Sequence, residues 1–233
     1  MLLLVTDTSG KNGFVGLARG VEGDLTKVEL IEEVPLAGGT FSAQLVPQIA
    51  ALLEKHGFRK TDIGGFIVVS GPGSFTGLRV GLAAIKALAE VWQKPIASVS
   101  LLEVIALASG KDGEVLAALD GGRGEVYAGE YDVAGDFAHC RSEHLIARSD
   151  FLSTTRAGQI STPDATLALM ARDAGLSVFS FPAVSAEMIA RLGWKKLQRG
   201  QAVSAEQLEA NYMRRSDAEI FAKPVSSSSG STE

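Results

Sequence analysis

Residues 64–90 read GGFIVVSGPGSFTGLRVGLAAIKALAE. A short apolar strand runs into a glycine–proline–glycine turn, and the turn opens a helix with almost no polar face. This stretch restricts the fold more than any other in the chain. A strand that is apolar throughout is covered on both faces, so the chain needs a layered α/β architecture. A glycine turn between strand and helix is also where phosphate-binding loops are built, but neither standard loop fits. A P-loop has lysine directly after its last glycine, whereas Gly77 is followed by Leu78 and Arg79; the dinucleotide fingerprint needs glycine where Thr76 stands. Gly71 and Gly73 therefore read as a turn that lets strand and helix approach closely.

Within the helix, Leu78, Leu82, Ile85, Ala89 and Trp92 share one face, suited to packing on a sheet. Val80, Ala84, Ala87 and Val91 form a second apolar face with the small residues Gly77 and Gly81, and only Arg79, Lys86 and Glu90 carry charge. A helix this apolar is covered on two sides. Either the preceding helix supplies that cover, or the two helices together bury the remaining surface against another protein. The residues alone leave both readings open. In the preceding helix Leu45, Ile49, Leu52 and Leu53 follow helical spacing, and Lys55, His56 and Gly57 end it. Proline is tolerated in a first helical turn, so Pro47 places the regular start near Val46.

Around this unit the order is simple. Strands over 2–6, 13–19 and 25–33 form an antiparallel meander; then come the first helix, the strand 65–70, the helix 76–91 and the strand 96–99. That is the order of a ribonuclease-H-like lobe. Beyond 109–113 it begins again, with strands at 114–119, 125–131 and 143–147 and helices near 164–174, 185–192 and 204–210. The expectation is a two-lobed actin-like α/β fold with mixed sheets, of the sugar kinase, Hsp70 and actin superfamily. The first lobe spans 1–104, with the segment about 205–221 packing back on it. The second, smaller lobe spans 105–204, and the serine-rich tail 222–233 is disordered.

Composition then excludes several functions. With 233 residues, 46% of them hydrophobic, the core is ample, and a formal charge of −5 without any basic block argues against strong nucleic-acid binding by this chain alone. Cys140 is the one cysteine, so no intrachain disulfide forms and a reducing compartment is expected. Nothing resembles a signal peptide or a membrane span, which predicts a cytoplasmic protein with no membrane partner.

Two further turns could carry chemistry: Asp7 in VTDTSG and Asp120 in ALDGGRGE, each at the end of a buried strand. In ATP-binding folds of the actin type, such paired turns face each other across a cleft, holding phosphates on backbone N–H groups while the aspartates organise magnesium. That is the alternative reading, a kinase-like ATP-binding enzyme or ATPase using Asp7 and Asp120. A glycine-rich hairpin turn explains 121–124 equally well, and no adenosine-holding glycine pair follows. His56, His139 and His144 lack the spacing that sets two imidazoles on one helix face. Ser74 and Cys140 have no adjacent base, and GPGSFTG is not a nucleophile elbow. Without the histidine pair or the elbow, a protease-like activity is not expected either. No catalytic residue, cofactor or metal is assigned.

SGPGSFTGLRVGLAAIKALAE, with LLVTDTS before it and KPIASVSLLEVIA after it, resembles the bacterial TsaB (YeaZ) family of tRNA threonylcarbamoyladenosine biosynthesis proteins. DGGRGEVYAGEY resembles the start of that family's second lobe, and NYMRRSDAE its C-terminal signature. The likeness is dense over 1–131, thin over 132–203, and returns near 205–219. The resemblance implies a non-catalytic paralogue of TsaD, the subunit that threonylcarbamoylates adenosine 37 in tRNAs reading codons that begin with A. At the positions of TsaD's two metal-binding histidines this chain has Leu101 and Ile105, which cannot hold a cation. A scaffold of this kind binds TsaD and, through that pair, the ATPase TsaE; it meets tRNA only through the complex and forms a homodimer when TsaD is absent. The resemblance places the partner interface on the two first-lobe helices, with Leu45, Ile49, Leu52, Leu53, Val80, Ala84, Ala87 and Val91 as its candidate residues. The chain departs from the family pattern at Phe41, at Gly122 followed by Arg123, and at Asn211, where proline commonly precedes the terminal tyrosine.

Overall fold

Strand β1 (Leu2–Asp7) is central to everything that follows. It pairs antiparallel with β2 (Asn12–Gly20), which pairs antiparallel with β3 (Val28–Ala37). On its other edge it pairs parallel with β4 (Ile63–Gly71), followed by β5 (Ile96–Ser100), giving a 5-stranded sheet ordered β3-β2-β1-β4-β5. The computed structural model describes residues 1–25, 27–154 and 159–213. The expected tail at 222–233, and all of NYMRRSDAE beyond Met213, lie outside the described residues.

The second sheet repeats this plan. An antiparallel meander of β6 (Gly113–Gly122), β7 (Glu125–Ala134) and β8 (Phe137–Ala147) is joined in parallel by β9 (Gln159–Thr162) and β10 (Val178–Ser180), in the order β10-β9-β6-β7-β8. Two mixed sheets of one topology make this a two-lobed, ribonuclease-H-like α/β fold.

Side-chain alternation decides which helix covers which face. Leu2 and Leu4 of β1 point into a core shared with α1 (Phe41–Lys55) and α2 (Phe75–Trp92). Leu3 and Val5 point the other way, to α6 (Ala186–Gln198) and to Leu101 and Val104 of α3 (Leu101–Ala108). The opposite side of α3, with Leu102, Ile105 and Ala106, packs on the second sheet, whose far face is covered by α4 (Arg148–Thr154) and α5 (Ala165–Asp173). One helix is thus common to both lobes.

Three expectations need correcting. The span 105–204 is not a single lobe, because α6 crosses back to the first sheet: Ile189, Ala190 and Trp194 are fully buried there. The amphipathic pattern of α6 marks a helix but not the sheet it will meet. Second, α1 begins at Phe41, with Pro47 inside it. Pro47 and Ala43 both face solvent, so the hydrogen bond that proline removes would have lain on the wet side, where water can serve the freed carbonyl. Among the described residues, the segment near 204–210 forms turns rather than a helix. It returns to the first sheet all the same, through buried Leu208 and the bond from the Asn211 N–H to the Ser70 carbonyl (2.7 Å).

Candidate functional site: the cleft and the paired helices

The glycines of GPGSFTG seat α2 on the chain leaving β1. The Ser74 N–H donates to the Ser9 carbonyl (2.6 Å), and the Thr8 hydroxyl donates to the Gly77 carbonyl (2.8 Å). A Cβ at Gly73 would lie 2.3 Å from the Ser9 carbonyl oxygen, and one at Gly77 would lie 2.1 Å from that of Thr8. At Gly81 it would meet the Thr8 hydroxyl at 2.2 Å. The turn is a close-packing device. Ser74 caps the helix, accepting from the Gly77 N–H at 3.3 Å.

Between the lobes lies a cleft of about 1290 Å³, and both candidate aspartates line it. Asp7 is half-buried. Burial pushes its carboxyl above the usual range, while the Ser9 N–H (2.8 Å) and hydroxyl (2.6 Å), both donating to Oδ1, pull it the other way. Asp120 Oδ1 accepts from the Gly122 N–H (3.2 Å) and from Arg148 Nη2 (2.5 Å). Arg123 and Gly124 join β6 to β7 with φ of 54° and 79°, left-handed at both positions, as a two-residue hairpin turn requires. The segment 121–124 is therefore a hairpin turn. Arg148 is the residue the sequence did not flag, since it follows β8 and meets Asp120 only through the register of the second sheet.

A metal centre does not fit at Leu101 and Ile105. Leu101 and Ile105 are buried among carbon side chains, and among the described residues no group of three or more His, Cys, Asp or Glu could hold an ion. Carbon atoms offer a cation no lone pair.

The eight candidate interface residues divide into two groups. Leu45, Ile49, Leu52 and Leu53 face the first sheet and are core, between 1% and 6% exposed, so they cannot form a surface. This corrects the expectation for α1: its largest apolar side chains are those the sheet requires. Its outward face instead carries Ala43, Val46, Pro47 and Ala50, with Val46 50% exposed. Their own spacing of three and four residues was the available signal. On α2, Val80 and Ala84 are half-buried against the first core, whereas Ala83, Ala87 and Val91 are exposed, Val91 to 75%. Since α1 and α2 pack side by side on one face of the sheet, these small apolar residues look outward together.

Duplicated five-stranded sheets around an interlobe cleft define the actin-like, ribonuclease-H-like class. The solved structure of YeaZ from Pseudomonas aeruginosa has this fold: it superposes with a TM-score of 0.68 over 91% of this chain and 99% of that one, at 22% identity. Residues 35–220 match the family described as TsaD, tRNA N6-adenosine threonylcarbamoyltransferase, and the chain belongs to that family. Its curated relatives point to the TsaB branch. The tRNA threonylcarbamoyladenosine biosynthesis protein TsaB of Bacillus subtilis is 34% identical over 56% of this chain and 55% of its own length. TsaB of Escherichia coli is 38% identical over 38% of this chain and 39% of its own length. The chain spans about half the length of the curated relatives it matches. The resemblance to TsaB (YeaZ) is thereby borne out. Among the described residues no helix is long and apolar enough to cross a membrane.

Proposed function

We propose that this chain is a non-catalytic scaffold subunit in the threonylcarbamoylation of tRNA adenosine 37. It binds and supports the catalytic paralogue TsaD, and through that pair it engages TsaE. The observation that carries the reading is the outward strip of Ala43, Val46, Ala50, Ala87 and Val91 on two adjacent helices. Small side chains let another backbone approach closely, and exposed apolar surface gathered on one face marks a protein contact. Both cleft aspartates are already engaged, Asp120 by a guanidinium and Asp7 by Ser9, which argues against a magnesium–phosphate site. The same face serves a second copy when TsaD is absent.

Reconstitution tests this. tRNA, threonine, bicarbonate and ATP are combined with the adenylate-forming enzyme, TsaD and TsaE of one organism, with and without this protein. The modified nucleoside is then quantified by mass spectrometry. Product that depends on this chain is expected; equal product without it sinks the scaffold reading. A second reading is favoured by one observation, the placing of Asp7 and Asp120 on one cleft. Under it the chain binds ATP with magnesium at micromolar affinity in calorimetry, and turnover is lost in Asp7→Asn.

A further inference from the structure

The side chain of Glu143, on the edge strand β8, gathers donors from separate parts of the molecule. Its Oε1 accepts from the hydroxyl of Ser100, which ends β5 and caps α3 (2.6 Å), and from the hydroxyl of Tyr131 on β7. Its Oε2 accepts from the side-chain amide of Asn211 (2.5 Å). Burial and the neighbouring carboxylate push the Tyr131 phenol upward, so it keeps its proton and remains a donor. From Asn211 the contact runs on into the first lobe. The Asn211 N–H is held by the Ser70 carbonyl at the end of β4. The next residue, Tyr212, lays its ring against Phe75 with centroids 4.9 Å apart, and its hydroxyl accepts from Arg79 Nε (3.3 Å). The Arg79 guanidinium in turn lies 3.7 Å from the centre of the Phe75 ring. Phe75 opens the first turn of α2 and Arg79 stands one turn later, next to Val80 and the outward face.

We propose that Glu143 and Asn211 form a strut by which the second lobe holds the first turn of α2 in place. Glu143 is a positioning residue that acts through Asn211 and Tyr212, and Arg79 with Tyr212 forms the polar rim of the docking face. The consequence for binding rests on the docking reading above; the strut itself does not.

Amide hydrogen exchange on the full chain tests it, with Asn211→Leu, Glu143→Gln and the double variant. A hydrogen bond to a charged group is lost, so exchange at Gly77, Leu78 and Arg79 is expected to quicken on the order of tenfold. Ile85 and Ala89, deeper in the helix, should stay at the wild-type rate. At Gly77 to Arg79 the double variant should be no faster than the faster single one, since both singles disrupt the Glu143–Asn211 contact. Unchanged exchange at Gly77 to Arg79 in Asn211→Leu overturns the proposal, and so does equal acceleration along all of α2. In a titration with TsaD, Asn211→Leu should bind several-fold more weakly; affinity equal to wild type overturns the link from strut to docking face. If wild type itself fails to bind, the docking reading falls and the exchange result still decides the strut.

Discussion

At the scale of single residues the structure is set by what glycine lacks. The turn into α2 touches backbone at Gly73 and the helix itself at Gly77, and a methyl at Gly77 has nowhere to go, because Thr8 opposes it with a carbonyl rather than a flexible side chain. Gly77→Ala should therefore cost roughly 1–3 kcal/mol as α2 is levered off β1. In urea this appears as a lower midpoint at unchanged slope. This much was legible in the sequence: the turn failed both phosphate-loop patterns and read as close packing. Asp7 carries a prediction of a different kind. Its folded pKa is raised, chiefly by burial, so the native state binds its proton more tightly than the unfolded state does. The ionised form thus weakens the fold above the folded pKa, and the penalty fades as pH falls towards the ordinary carboxylate range. Asp7→Asn, whose Oδ1 can accept the same bonds from Ser9, should raise the melting temperature near neutral pH. That gain should disappear in acid; a gain that is constant with pH would remove the electrostatic explanation.

Among the elements, periodicity identified helices well and orientation less well. On α2 the face Leu78, Leu82, Ile85 and Ala89 does meet the sheet, because it is the longest run of large side chains at helical spacing. On α1 the resemblance marked Leu45, Ile49, Leu52 and Leu53 as interface, whereas the same rule makes them core. A helix with apolar residues on two sides does not declare which side is inward until the sheet supplies the larger contact, and the sheet takes the larger side chains. The apolar residues that remain exposed are alanine, valine and proline. A glutamate at Ala87 or Val91 points into water in the free chain and should change stability by no more than about 0.5 kcal/mol. In a complex that buries this face, the same unpaired charge costs several kcal/mol. Gel filtration with TsaD should show the heterodimer lost while the melting temperature holds. Co-elution of either variant with TsaD would place the interface elsewhere.

The molecule as a whole is held together by contacts distant in sequence, and these were the least legible. Nothing in AEMIARLGWKKLQ says that the helix closes the first sheet rather than the second. Likewise nothing in DGGRGE foretells that Arg148 will neutralise Asp120. Trp194 shows what the return is worth: it is fully buried, its ring would be struck at 2.5 Å by a Cβ at Gly20, and its indole N–H donates to the Asp24 carbonyl at 3.0 Å. Trp194→Ala should cost roughly 3–5 kcal/mol in chemical denaturation. If it does not, the face covered by α6 is less dependent on that ring than its burial indicates. The return of α6 also imposes an order on synthesis. Every strand of the first sheet has been made once Ser100 is added, yet Leu3, Val5, Ile67 and Val99 wait for a helix that ends at Gln198. At ordinary translation rates that interval is roughly 5 to 20 s. Through it that face of the sheet has only Leu101 and Val104 of α3 to cover it.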